Sequence, residues 1–323
     1  MSPQPKETHE SPPTSVRLMT DLGARLRALA FRLMLVKPVN VALRTLVRPF
    51  AKRLPWAVVH SIPTVGDVPL DLPDGRRIVL VSDGYDSLAS RVAWSGMDGF
   101  EPESLRLFLH LLDSSKTVID VGAHIGLYAL MASTDRPDVT TIAFEPVPRN
   151  LQYLRRNVAR NHTPDLRVEA AAVGDHDGTI TLYIPETTRL PATASIVESN
   201  SAEKVGTEVP IVSLDHYVTT HDISSVDLIK LDVEGAEAAV LRGAAEIIRT
   251  HRPAIICEIL HGVGDTEAAT AVFDDADYRF FLVTDDGLVE HDALVGDPSY
   301  YYKNYLLIAA DQVADRLDEG MIR

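Results

Sequence analysis

Three acidic residues stand at the ends of short apolar runs in this chain: Asp120 in VIDVGA, Glu145 in TTIAFEP and Asp232 in DLIKLDVEGAE. Asp120 is followed by Gly122 and Gly126, and the pattern then turns helical, VIDVGAHIGLYAL over 118–130. Glycines on such a turn let a backbone approach a ligand and a helix pack closely on a strand. In an open α/β sheet, ligands gather outside the carboxyl ends of the strands, where the strand order reverses. Glu145 lies roughly 20 residues past the turn, the distance at which an acid accepts the hydroxyls of a ribose. The expected ligand carries an adenosine.

Two adenosine cofactors suit that geometry, a nicotinamide dinucleotide and S-adenosylmethionine. The dinucleotide fingerprint needs Gly-x-Gly-x-x-Gly, so that a pyrophosphate rests on a helix N-terminus. Here Ala123 and His124 stand between the two glycines, and Asp120 would repel a pyrophosphate. A sulfonium ligand with an amino-acid tail has no phosphates, and a carboxylate near its ammonium is favourable. The acid favours S-adenosylmethionine; a structural turn with a chance acid is the bland alternative.

The elements that must position these residues alternate. KTVIDVGA, VTTIAFEP, LRVEAAAVG, SVDLIKLDVEG and PAIICEIL read as strands, separated by helical stretches such as VPRNLQYLRRNVARN and AEAAVLRGAAEIIRTH. Such alternation predicts an α/β, doubly wound, mostly parallel sheet. YRFFLVTDD and YYKNYLLIAA are expected to close it as an antiparallel hairpin at the edge. TITLYIPE and VPIVSLDHYV read as an inserted β-excursion, and Asp74-Gly75 as a hairpin turn in a β-rich lead-in.

The chain has 323 residues and a net charge of −15. Its single cysteine, Cys257, excludes an internal disulfide and a cysteine zinc cluster, and fits a cytoplasmic compartment. Residues 1–55 hold ten Lys or Arg against three acids, a surplus of seven, which leaves the rest near −22. So acidic a body is a poor partner for nucleic acid. The expected organisation is a polar, disordered tail over 1–15 and a basic amphipathic helical arm over 16–55. The main domain follows over 56–323, comprising a lead-in (56–116) and a catalytic core (117–310). Arg32 interrupts the best candidate for a membrane span. The arm reads either as a cap with solvated arginines or as a peripheral membrane contact.

Taken in order, VIDVGAHIGLYAL, FEPVPRNLQYLRRNV, AAVGDHDGTITLY, VSLDHYV, VDLIKLDVEGAEAAVLRGA and PAIICEI resemble the FkbM-type S-adenosylmethionine-dependent methyltransferases over about residues 100–310. The resemblance implies a class I methyltransferase (Rossmann-like) fold with a C-terminal antiparallel hairpin. It also implies methyl transfer, usually to a hydroxyl of a small metabolite, polyketide or sugar. The family turn usually reads Asp-Val-Gly-Ala-Asn; here His124 replaces the Asn. Carried onto this chain, Asp120, Gly122, Ala123, His124 and Gly126 line the methionine end of the cofactor. Glu145 holds the ribose, Pro146 shapes the turn after it, and Ala172 and Val173 flank the adenine. Asp232 lies beside the sulfonium.

A hydroxyl acceptor must lose a proton, so a positioned base is expected; Asp232, Glu234 and His261 are the candidates. Glu237 reads equally as a solvated first-turn acid. No metal is required, although Asp232, Glu234 and Glu258, if clustered, would suit magnesium. The alternatives are an NAD(P)-dependent oxidoreductase, disfavoured by the broken glycine fingerprint, and a cofactor-binding protein without catalysis. The polar stretch 185–206 is expected to close over a small-molecule acceptor. The sequence specifies neither that acceptor nor an oligomeric state.

Overall fold

The computed structural model describes residues 28–185 and 204–323. The strands are β1 (Val65–Asp71), β2 (Arg77–Asp83), β3 (Thr117–Val121), β4 (Thr140–Phe144), β5 (Arg167–Glu169), β6 (Ala172–Val173) and β7 (Gly178–Pro185). After them come β8 (Lys204–Val212), β9 (Leu228–Leu231), β10 (Ala254–Glu258), β11 (Tyr278–Thr284), β12 (Gly287–His291) and β13 (Asn304–Ala309). The main sheet has the order β12-β11-β13-β10-β9-β3-β4-β5. Every residue of β3, β9 and β10 is buried, as expected for parallel strands covered on both faces. The charged residues inside them, Asp120, Lys230 and Glu258, therefore need a special reason to be there.

The strand order reverses between β3 and β9, which pair in parallel with Asp120 level with Lys230. Strands β11 and β13 pair antiparallel, as the sequence suggests. The tertiary fold adds that β13 slips between β11 and β10, antiparallel to both. The turn after Thr284 leads into β12, unread in the sequence, which forms the outer edge. LRVEAAAVG is not one strand: β5 stays in the main sheet, while β6 joins a separate sheet with β8 and β7. In VPIVSLDHYV the strand stops at Val212, and Ser213 accepts a hydrogen bond from His216 N to cap the helix Leu214–Thr220.

The expected hairpin around Asp74-Gly75 forms as β1 and β2. The outer edge of β2 is covered by side chains of the helix Pro148–Asn161. Asn157 and Asn161, one helical turn apart, accept hydrogen bonds from Val81 N and Val79 N, each at 2.7 Å. Asn157 Nδ2 also donates to Ile125 O at 2.8 Å, tying this small sheet to the turn after β3. A covered edge cannot recruit another strand, and the helix Ser87–Ser95 that follows β2 is held over the carboxyl end of the main sheet.

The expected tail over 1–15 and residues 186–203 of the expected closing loop lie outside the described residues. Of the arm, 28–34 are helical, and a second helix, Lys37–Val47, runs into a 3-10 turn at Arg48–Arg53. Among the described residues no helix is long and apolar enough to cross a membrane.

Candidate active site

A cavity of about 310 Å³ opens at the carboxyl ends of β3, β4 and β9. Asp120, Gly122, Ala123, His124, Glu145 and Pro146 line it, and Ala172, Val173, Asp232 and Glu234 complete the lining expected from the sequence. Two expected residues lie elsewhere. Gly126 is absent from the wall; a Cβ there would meet Leu154 Cδ1 at 2.3 Å, so the glycine serves packing against the next helix rather than the strand. His261 is exposed and outside the lining, with Nδ1 3.1 Å from Gly296 O. Of the three candidate bases, Asp232 and Glu234 thus line the cavity and His261 does not.

The turn itself is built from backbone donors and buried acids. Asp120 ends the apolar run with its carboxyl buried, and its Oδ2 accepts the Ala129 N–H at 3.0 Å, capping the helix Leu127–Ser133 from the strand. Burial raises this carboxyl to about 7, against the pull of Lys230 and the Ala129 N–H. Glu145 is also buried. Its Oε2 accepts His124 N at 2.7 Å and its Oε1 accepts Val147 N at 2.8 Å, so one side chain joins the turns after β3 and β4. Burial raises it to about 8, with the hydrogen bonds from Val147, His124 and Asn150 opposing. Each carboxylate oxygen has a second lone pair, so both acids keep acceptor capacity toward the cavity. His124 has φ 53, and its ring Nε2 is buried without a hydrogen-bond partner. Burial lowers its pKa, against the nearby acids Asp86 and Asp232.

Beneath the cavity lies a cluster that the sequence did not reveal as one. Lys230 is 1% exposed, with Nζ 3.6 Å from Asp232 Oδ2 and 3.3 Å from Asn304 Oδ1. Its ammonium also sits 5.3 Å from the centre of the Tyr128 ring. Burial alone would lower its pKa, but Asp232, Glu101, Glu258 and Asp120 outweigh that and raise it. Glu101, Asp232 and Glu258 bring carboxylate oxygens within 4.8 Å of one another. This trio replaces the expected grouping of Asp232, Glu234 and Glu258. Glu258 is raised to about 9 by burial first and then by Asp232, and its Oε2 has no hydrogen-bond partner. Glu101 accepts the Tyr128 hydroxyl at 3.0 Å from a backbone at φ 40. It precedes the helix Pro102–Leu112, and only that helix's apolar stripe was legible in the sequence.

Glu234 lines the cavity at φ 54; burial, then Asp232, raises it to about 7. Glu237 is buried and accepts Gly235 N at 2.9 Å, so the solvated reading is corrected: it closes the turn after β9. Lys303 stands at the cavity with Nζ 3.9 Å from Glu258 Oε1.

An order reversal between β3 and β9, an antiparallel strand slipped in beside β10, and acids at three adjacent strand ends define a class I methyltransferase-type domain. Residues 120–280 match the family described as methyltransferase FkbM domain, and the chain belongs to that family. It is 31% identical over 156 residues to the 31-O-demethyl-FK506 methyltransferase FkbM of Streptomyces tacrolimicus, which covers 40% of this chain and 59% of that protein. It is 27% identical to the hexuronic acid methyltransferase AglP of Haloferax volcanii, across 54% of this chain and 69% of that one. A solved methyltransferase FkbM from Methylobacillus flagellatus superposes with a TM-score of 0.38 and 19% identity, covering 61% of this chain and 44% of that one.

Proposed function

We propose that this protein transfers a methyl group from S-adenosylmethionine to a hydroxyl of a small metabolite, polyketide or sugar. The observation that carries the reading is the single cavity that joins Asp120, Glu145 and Asp232 at the ends of three adjacent strands. The donor set suits the cofactor. Glu145 can accept from a ribose diol, Ala172 and Val173 offer an apolar flank to a purine, and the acids around Lys230 can give up protons when a cation enters. A pyrophosphate would meet Asp120 and Glu145 instead of free backbone N–H groups, since His124 N is already bonded to Glu145. That disfavours a nicotinamide dinucleotide.

S-adenosylmethionine supplies an electrophilic methyl group on a sulfonium. The chain's part is alignment and proton handling, because methyl displacement depends on in-line placement. Asp232, 3.6 Å from Lys230 Nζ, stands at the reacting end. Glu234, at about 7, stands near neutrality and is the residue we assign to take the hydroxyl proton as the acceptor oxygen bonds to carbon. Glu258, raised to about 9, holds its proton at pH 7 in the ligand-free protein. The relatives support a small acceptor: one acts on an O-demethylated FK506 and another on a hexuronic acid.

Calorimetric titration tests the assignment. S-adenosylhomocysteine should bind the purified protein and NAD should not. Glu145→Gln should weaken S-adenosylhomocysteine by about tenfold, the scale of one lost hydrogen bond. Binding of NAD alone would overturn the reading.

A further inference from the structure

The segment before β1 leaves many of its apolar side chains exposed. In the helix Lys37–Val47 the one buried residue is Asn40. Its Nδ2 donates to Pro63 O at 2.6 Å and to Met34 O at 2.9 Å, and its Oδ1 accepts Val65 N at 3.0 Å. A polar side chain thus pins the helix to the body, while Val39, Val41 and Leu46 are exposed and Leu43 and Val47 half-buried. Leu46 is 71% exposed and Phe50 55%, with Leu29 and Leu33 more than half exposed. Nine of the fifteen large apolar side chains exposed among the described residues fall between 29 and 58. Apolar surface concentrated in this way marks an interaction site.

The charge over the same stretch is uniform in sign. No acid occurs between Asp21 and Asp67, whereas Arg32, Lys37, Arg44, Arg48, Lys52 and Arg53 all fall there. The rest of the chain is strongly acidic. Exposed apolar side chains interleaved with cations, on an otherwise anionic protein, are complementary to one kind of partner: a surface both apolar and negatively charged. We propose that the face presented by residues 29–58 docks on an anionic lipid bilayer, apolar side chains in the interface and arginines among the headgroups. The docked segment adjoins the cavity. Phe31 packs on Tyr85 with ring centroids 6.0 Å apart, and Ser87, two residues further on, lines the cavity wall. The inference does not depend on the proposed reaction.

Co-sedimentation of the full chain with vesicles tests it. Phosphatidylcholine vesicles containing phosphatidylglycerol should carry down at least about tenfold more protein than phosphatidylcholine alone, and high salt should weaken the effect. The pairs Leu46→Ser with Phe50→Ser, and Arg48→Glu with Arg53→Glu, should each abolish most of that binding. Both alter exposed side chains, so the urea midpoint should be unchanged, which separates lost docking from lost folding. Equal binding to neutral and anionic vesicles, or none to either, would overturn the proposal. So would a dimer on gel filtration that the Leu46/Phe50 pair dissociates while vesicle binding persists unchanged, since a second copy would then cover the face.

Discussion

The Gly122 backbone lies so close to the Asp232 carbonyl that a Cβ on residue 122 would stand 1.8 Å from that oxygen. The turn after β3 and the turn after β9 are thus in contact at the point where the sheet reverses. Gly122 is needed for this approach as well as for its place in the cavity wall. Its φ of 81 adds a second demand that only glycine meets without strain.

Gly122→Ala should therefore destabilise the protein by more than about 3 kcal/mol, combining left-handed strain with a clash against backbone. Gly75→Ala is the matched control: its φ is 87, but a Cβ there meets nothing within 4 Å. It should cost only about 1–2 kcal/mol, the strain alone. Urea unfolding of both variants makes the comparison; equal losses would mean that the Asp232 contact is unimportant.

Lys230 is the buried cation amid Asp120, Asp232, Glu101 and Glu258, among the described residues. Lys230→Met should cost about 3–5 kcal/mol, because removing one member of a buried charge cluster leaves the others uncompensated. The loss should be greater at pH 8 than at pH 6, where protonation can relieve the remaining acids. A loss independent of pH would point to packing instead.

The buried acids set the pH dependence of the ligand-free protein. Glu145 is raised to about 8 and Glu258 to about 9 by burial, both well above their unfolded values. A carboxyl whose folded pKa is raised stabilises the fold below its unfolded pKa, and that stability is lost as pH rises through the folded pKa. From pH 7 to pH 9 stability should fall, by up to about 1.4 kcal/mol per pH unit for each proton released. Glu145→Gln should flatten the slope. A midpoint that rises across this window would contradict the burial of these groups.

A cation entering the cavity should draw protons off Glu234 and Glu258, since a nearby positive charge favours their ionised form. S-adenosylmethionine should release up to about one proton on binding at pH 7.5, and S-adenosylhomocysteine, which lacks the sulfonium, less. Calorimetry in two buffers of different ionisation enthalpy reads the difference. Equal release by both ligands would place the sulfonium away from these acids.

By itself, the sequence determined the alternation of strands and helices, the acids at three strand ends and the family. These are local signals: apolar periodicity, a glycine turn, and motifs read along the chain. Asp120, Glu145 and Asp232 were legible because each ends an apolar run, and a charge there has few reasons except a site. Only the tertiary structure brought Glu101, Tyr128 and Asn304 to Lys230, removed His261 from the cavity and turned Glu237 into a buried turn-closing acid. It also placed β13 between β10 and β11. The physical reason is shared. Burial, and the pKa shifts that follow from it, depend on which distant segments pack together. A residue such as Glu101, separated by 131 positions from Asp232, carries no mark of that neighbour in its own stretch of chain.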